Sequence, residues 1–243
     1  MEKTGEGLCD YARKKLGTPY FFGAKMQPLT EEFMQTMHRK YPSVVTEQYM
    51  EMAIRRGLPG RVCCDCSGLI AGYTGRSFGT AQLYASASLR MPVETIDKFP
   101  AGTLLWKKGH VAVFIGYMNH TPCCIESRSL EHGCCLSKIA SRGFTHGLLL
   151  KDFTYAKPLP SGSAPSPNIY PIPTAILLPG EEGDQVKWLQ HALFESGYDL
   201  SITGVFDDTT RQALIAYQNT SDIYHEPGYL GFDSLQALKS TFL

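Results

Sequence analysis

No run in this sequence approaches the roughly 20 consecutive apolar residues that a membrane-spanning helix needs. The opening stretch, "MEKTGEGLCDYARKKLG", also lacks the apolar core of a secretion signal, so a chain made in the cytoplasm without a signal peptide is expected. Cysteine is absent beyond residue 135. All eight cysteines precede that point, six of them as neighbours at 63/64, 123/124 and 134/135. Vicinal cysteines seldom bridge each other, and the spacing is not that of a small secreted disulfide framework, so folding in a reducing compartment is expected. No cluster of lysine and arginine alternates with aromatics, which argues against a nucleic-acid surface. Net charge is missing too, with 23 Lys and Arg balancing 23 Asp and Glu. The balance hides a division. Residues 1–157 carry 20 basic and 13 acidic side chains, whereas residues 158–243 carry 3 and 10. Such a split suggests two modules with different surfaces.

At 243 residues the chain can hold one large domain or two modest ones. Where the charge changes sign, "KPLPSGSAPSPNIYPIPT" (157–174) places six prolines among small polar residues. Proline fixes φ and withholds a donor, so this stretch reads as an extended linker. The expected organisation is a first module over 1–156, a linker over 157–175 and a second module over 176–243. The second module repeats itself: "GVFDDTTRQAL" (204–214) returns 24 residues later as "GYLGFDSLQAL" (228–238). Thr209 and Asp233 are the expected helix caps. Ahead of them, "GDQVKWLQHALFESGYD" sets Val186, Leu189 and Leu193 on one helical face and should stop at Gly197. Three helices with one apolar stripe each make a small bundle, and it holds no plausible nucleophile and base.

The first module begins with an amphipathic helix over 6–16 and a Pro/Gly-bounded aromatic turn, "GTPYFFGA". Thr30 and Thr46 can cap two further helices, the first burying Phe33 and Met37, the second Met50 and Ile54. From Leu104 the period changes. "LLWKKGHVAVFIGYM", "PCCIESRSL" and "GCCLSKIAS" read as strands, with turns at Lys108-Gly109 and around Asn119–Pro122. Helices followed by an antiparallel sheet give the α+β class.

The stretch "VCCDCSGLIAGYTG" (62–75) carries the chemical question. Cys63 and Cys66 form a C-x-x-C, which serves as a redox pair or half a zinc site in other settings. A zinc site could be completed by Cys123, Cys124 and His132, although no second C-x-x-C is present. A thioredoxin-like arrangement expects a strand before and a longer helix after the motif, within βαβ units. The remaining reading is a nucleophile. Cys66 precedes a short helix whose macrodipole should lower the thiol pKa, and Ser67 and Gly68 allow backbone N–H groups to approach a substrate. His110 opens a strand after a tight turn. Glu126 lies on the next strand, where antiparallel pairing can bring its carboxylate to the imidazole.

Taken in order, "GTPYFFGA", "DCSGLIAGYTG", "PAGTLLWKKGHVAVFIG" and "CIESRS" resemble the signature blocks of the NlpC/P60 cysteine peptidases over about residues 6–156. These are papain-like peptidoglycan endopeptidases. The resemblance implies Cys66 as nucleophile, His110 as general base and Glu126 as the third polar residue, with Tyr20 flanking the cysteine. It implies no metal or other cofactor. Asp65 and Ser67 match residues that in some members hold the free amine of the stem peptide's L-alanine, and Trp106 is placed with them as substrate-binding. Two departures stand out. A two-helix insertion at about 25–60 separates Ala24 from Asp65, and the third position is variable in the family.

The second module resembles the peptidoglycan-binding domain family over about 177–241. The residues that carry the likeness are Gly180, Gly183, Val186, Leu189, Gln190, Gly204, Phe206, Thr210, Ala213, Tyr217 and Gln218. The two resemblances imply a hydrolase whose partner is bacterial peptidoglycan, cutting most often the D-γ-glutamyl–diamino acid bond. Without a signal peptide, the pairing looks like a phage or prophage endolysin that reaches the wall after release. The rivals are an N-acetylmuramoyl-L-alanine amidase, a recycling enzyme acting on freed peptides, a non-catalytic wall-binding protein and a secreted antibacterial effector.

Overall fold

The computed structural model describes residues 2–118, 121–157, 169–196, 198 and 200–242. It divides into two compact units, residues 1–163 and 164–243. Most of the proline-rich stretch, the expected stop at Gly197 and the turn residues Asn119 and His120 lie outside the described residues.

The first unit runs β1 (Lys3–Thr4), α1 (Gly5–Lys14), β2 (Lys25–Pro28), α2 (Glu31–Lys40), α3 (Glu47–Arg55), β3 (Val62–Cys64), α4 (Cys66–Thr74) and α5 (Thr80–Ser86). It continues with β4 (Ala87–Pro92), a 3-10 turn (Val93–Lys98), β5 (Leu104–Lys107), β6 (His110–Met118), β7 (Thr121–Ser127), β8 (Cys134–Lys138), β9 (His146–Leu150) and β10 (Phe153–Thr154). This is an α+β unit. Six strands form one antiparallel sheet in the order β4-β9-β5-β6-β7-β8. The sequence points to β5 through β8 but misses β4 and β9. β4 carries an exposed Leu89 and a terminal proline, so it shows no alternation to read.

Threonine caps set three of the helices. Thr4, Thr30 and Thr46 accept hydrogen bonds from the backbone N–H groups of Gly7, Phe33 and Tyr49. The inserted helices α2 and α3 share a core made of Phe21, Leu29, Met34, Val45, Ala53, Leu58 and Cys63. Phe33, Met37 and Met50 pack on its rim, while Ile54, expected inside, is 55% exposed. The register of the stripe explains this: Met34 and Ala53, one residue off the expected positions, are the ones that face inward.

The second unit is all-α, with α6 (Asp184–Glu195), α7 (Asp208–Thr220) and α8 (Phe232–Phe242). Val186, Leu189 and Leu193 are buried as the stripe requires. The repeat seen in the sequence is a repeat of polar wiring. The buried Gln190 accepts from the Gly204 N–H and donates to the Val205 carbonyl and the Thr210 hydroxyl. Buried Gln218 does the same with Gly228, Tyr229 and Ser234. Each glutamine satisfies one turn and the start of the next helix, which leaves its amide bonded at both ends inside a small core. The helix caps differ from expectation. Asp207, not Thr209, accepts from Thr210 N–H, and Glu226, not Asp233, accepts from the first amides of α8.

Candidate active site

The site is assembled where α4 meets the sheet. Asp65 caps α4 through Gly68 N–H, so Cys66 is the first helical residue. Cys64, just before it, is tied on both sides: its N–H donates to Pro19 O, and its carbonyl accepts from the Ser127 hydroxyl. Gly68 is where the helix presses on the preceding loop. A Cβ there would lie 2.1 Å from Ala24 O, and Asp65 N–H donates to that same carbonyl. Gly68→Ala is therefore expected to destabilise the first unit by about 1–3 kcal/mol, measured as a lowered denaturant midpoint.

The backbone amides of Val111 and Ser67 lie within hydrogen-bond reach of the Cys66 sulfur. Val111 follows His110 directly, at the start of β6. The two-residue turn before it relies on Gly109 at φ +82° and closes β5 onto β6 with Lys107 opposite His110. His110 Nε2 is 2.5 Å from Glu126 Oε2, and its ring stacks on Phe144 at 6.0 Å between centroids. With Nε2 engaged by the carboxylate, Nδ1 is the nitrogen left to exchange a proton.

Glu126 is fully buried and carries more than the histidine. Arg142 donates to it from Nε at 2.6 Å and from its terminal nitrogen at 3.0 Å. Burial alone would raise the carboxyl; hydrogen bonds from His110, Arg142 and Ser137 outweigh it and hold the group at about 2. No sequence motif points to Arg142. It sits in the loop after β8, sixteen residues beyond Glu126 and outside every signature block. The available signal is physical: a carboxylate placed inside a sheet needs a cation, and Arg142 is the one basic residue between β8 and β9.

The expectation of an acidified Cys66 thiol fails. Burial, then the Asp65 carboxylate, push it up to about 12, against the opposing pull of the Val111 amide, Lys25 and the Ser67 amide. Thiol acidity does not single out Cys66, since burial also raises Cys63 to about 11 and Cys64 to about 12. Position does. Cys63 packs in the insertion core, Cys64 against Ser127, and only Cys66 lines the cleft. None of the eight cysteines is joined to another in a disulfide. Among the described residues, the ligand-type side chains that gather within 4.8 Å of one another are His225, Glu226 and Asp233 of the second unit, not the C-x-x-C.

The cleft at Cys66 encloses about 430 Å³. Met37, Lys40 and Tyr41 from the end of α2 form one wall, and Gly79, Thr80 and Gln82 at the start of α5 form another. Tyr20 bridges to Cys64; burial first, then the neighbouring Cys66 sulfur, raise its hydroxyl well above the usual range, so it stays protonated. Trp106, expected to bind substrate, donates its indole N–H to Thr80 O at 2.9 Å and packs its ring on Tyr84. Asp65 and Ser67 both face the cleft, with an unforeseen partner, Lys25, bonded to each.

The second unit has a recognisable relative. Residues 182–238 match the family model PG_binding_1, described as "Putative peptidoglycan binding domain". The match reaches all three helices and both glutamine networks, and no part of the cleft. No curated protein matches the chain. Among solved structures, the chain is similar to one described as "Crystal structure of NlpC/p60 domain of peptidoglycan hydrolase SagA". The two are 20% identical, with 60% of this chain and 99% of that one covered at a TM-score of 0.38. Among the described residues no helix is long and apolar enough to cross a membrane.

Proposed function

We propose that the chain is a peptidoglycan hydrolase of the NlpC/P60 cysteine-peptidase type, cutting an amide of the stem peptide. The observation that carries this reading is the 2.5 Å bond from His110 to the buried Glu126, set one residue from the amide that faces the Cys66 sulfur. A nucleophile, a base and a group orienting that base are the parts that thiol-based amide cleavage requires.

Because the resting thiol is neutral, His110 acts as a general base. Nδ1 takes the sulfur proton as Sγ attacks the carbonyl carbon, and the imidazolium so formed is held by Glu126. That proton then passes to the leaving amine as the C–N bond breaks, giving a thioester. A water molecule, deprotonated by His110, displaces the thiol and releases the carboxylate. The bond is D-γ-glutamyl–diamino acid, and the second unit holds the enzyme on the wall, raising the local concentration of catalyst. A chain made in the cytoplasm and released at lysis, as an endolysin is, agrees with this pairing of modules.

Mass spectrometry of purified peptidoglycan digested by the full chain tests the reading. New diamino-acid amino termini are expected, absent with Cys66→Ser. New free L-alanine amino termini would instead make the protein an amidase. Separating the units near Ser163 is expected to spare cleavage of soluble stem peptides and to slow digestion of intact walls by roughly tenfold to a hundredfold. If residues 164–243 fail to pellet with walls while the full chain does, the tether is elsewhere.

A further inference from the structure

Lys25 and Asp65 form an ion pair in the cleft that Cys66 lines. The Asp65 carboxylate is the acidic group beside the nucleophile, and every direction around it is taken. Gly68 N–H and the Ser67 hydroxyl donate to Oδ1, and Gly23 N–H donates to Oδ2. Lys25 Nζ lies 2.8 Å from Oδ1, 2.9 Å from Oδ2 and 2.5 Å from Ser67 Oγ. A carboxylate offers about four lone-pair positions, and these four groups, with Lys25 reaching both oxygens, leave none of them open. Lys25 in turn spends its three N–H groups on Asp65 and Ser67. The pair is closed to further partners and largely removed from solvent, with side chains 22% and 10% exposed.

The lysine is held there by the backbone. Register between β2 and β3 shifts between Lys25 and Gln27, and Met26 adopts φ +61°, a left-handed conformation that long side chains rarely enter. Met26 itself fills the space above Gly72, where a side chain at that position would stand. Such a bulge re-aims the neighbouring residue, and here it turns Lys25 onto Asp65.

We infer that Lys25 makes the enzyme selective for stem peptides whose amino terminus is acylated, as it is while the peptide remains joined to its glycan, and against the same peptides bearing a free ammonium. This rests on the proposed peptidoglycan hydrolysis. A free ammonium entering the cleft would find the Asp65 carboxylate already occupied by Lys25, with the further positive charge of Lys40 on the cleft wall. An acylated nitrogen carries no charge and meets no such opposition.

The test uses two synthetic stem peptides identical except for an N-acetyl cap on the L-alanine. Their cleavage by the full chain is compared with their binding to full-length Cys66→Ser, measured by calorimetry. Wild type is expected to prefer the capped peptide by roughly tenfold or more in kcat/KM, with the same order in affinity. Lys25→Met should remove the preference by improving the uncapped peptide, and Lys25→Arg, which keeps the charge, should retain it. Equal use of the two peptides by wild type, or an unchanged preference in a folded Lys25→Met chain, overturns the inference. Should neither peptide be cut while Cys66→Ser still binds the capped one preferentially, the selectivity stands and the assigned reaction falls. If the Cys66→Ser chain binds neither peptide, both fall.

Discussion

Cys66→Ser and His110→Ala are each expected to leave a folded chain that has lost wall hydrolysis by about a thousandfold or more. The two losses should not add, because nucleophile and base act in one proton transfer. Cys63→Ser and Cys64→Ser should stay within a few-fold of wild type on soluble stem peptides, provided their folding is matched by circular dichroism. Their sulfurs are packing groups: Cys63 sits among Phe21, Leu29 and Val45, and Cys64 rests on Ser127. Equal loss at Cys63, with stoichiometric zinc by elemental analysis, would transfer the chemistry to a metal. So would inactivation by a chelator. The high pKa of the resting thiol adds a kinetic expectation. Alkylation of Cys66 by iodoacetamide should accelerate as pH rises and be slower in His110→Ala, since without the imidazole nothing removes the proton.

Glu126 should separate geometry from charge. In Glu126→Gln an amide oxygen can still accept from His110, so a loss of tenfold to a hundredfold is expected, ~1.4–2.7 kcal/mol of transition-state stabilisation. Glu126→Ala removes the acceptor and strands Arg142 and His110 at a buried position. Its cost in stability, read from denaturant midpoints, should reach about 3–5 kcal/mol, as for other buried pairs deprived of one member. The pH dependence has a definite sign. The carboxyl falls from its ordinary 4.5 when unfolded to about 2 when folded, so its contribution is full above pH 4.5 and is lost as pH falls through 2. The stability gap between wild type and Glu126→Gln should therefore narrow across that window. A gap that stays constant from pH 6 to pH 2 would mean that the carboxylate is not the charged partner of His110 and Arg142. If both Glu126 variants are as active as wild type, another group orients the imidazole.

What the sequence discloses about this site follows the range of each interaction. Cys66, His110 and Glu126 are legible because local signals frame them: a capped helix start, a glycine turn, and alternation on adjacent strands. Arg142 and Lys25 are not, because each owes its position to a loop or bulge that carries no periodicity. Met26 at positive φ is invisible in a string of letters, and it is what aims Lys25. The neutral resting state of Cys66 is hidden for a related reason. A helix N-terminus can be inferred from sequence, but the burial that outweighs it arises only when α4 packs under β6. In the second unit the glutamine-and-glycine repeat is plain in the letters. The caps there are not, because Asp207 and Glu226 compete with equally suitable neighbours, and only the backbone trace chooses between them.

The cysteine burial has a practical consequence for handling the protein. Cys66 is 7% exposed and the other seven cysteines are 0–1% exposed. A thiol reagent too large to enter the core can therefore reach a single sulfur in the native chain, the one proposed as the nucleophile. One label per molecule then counts competent enzyme directly, chain by chain, where a protein assay would weigh intact and misfolded material alike. A second label arriving with time would report the moment at which the fold begins to open.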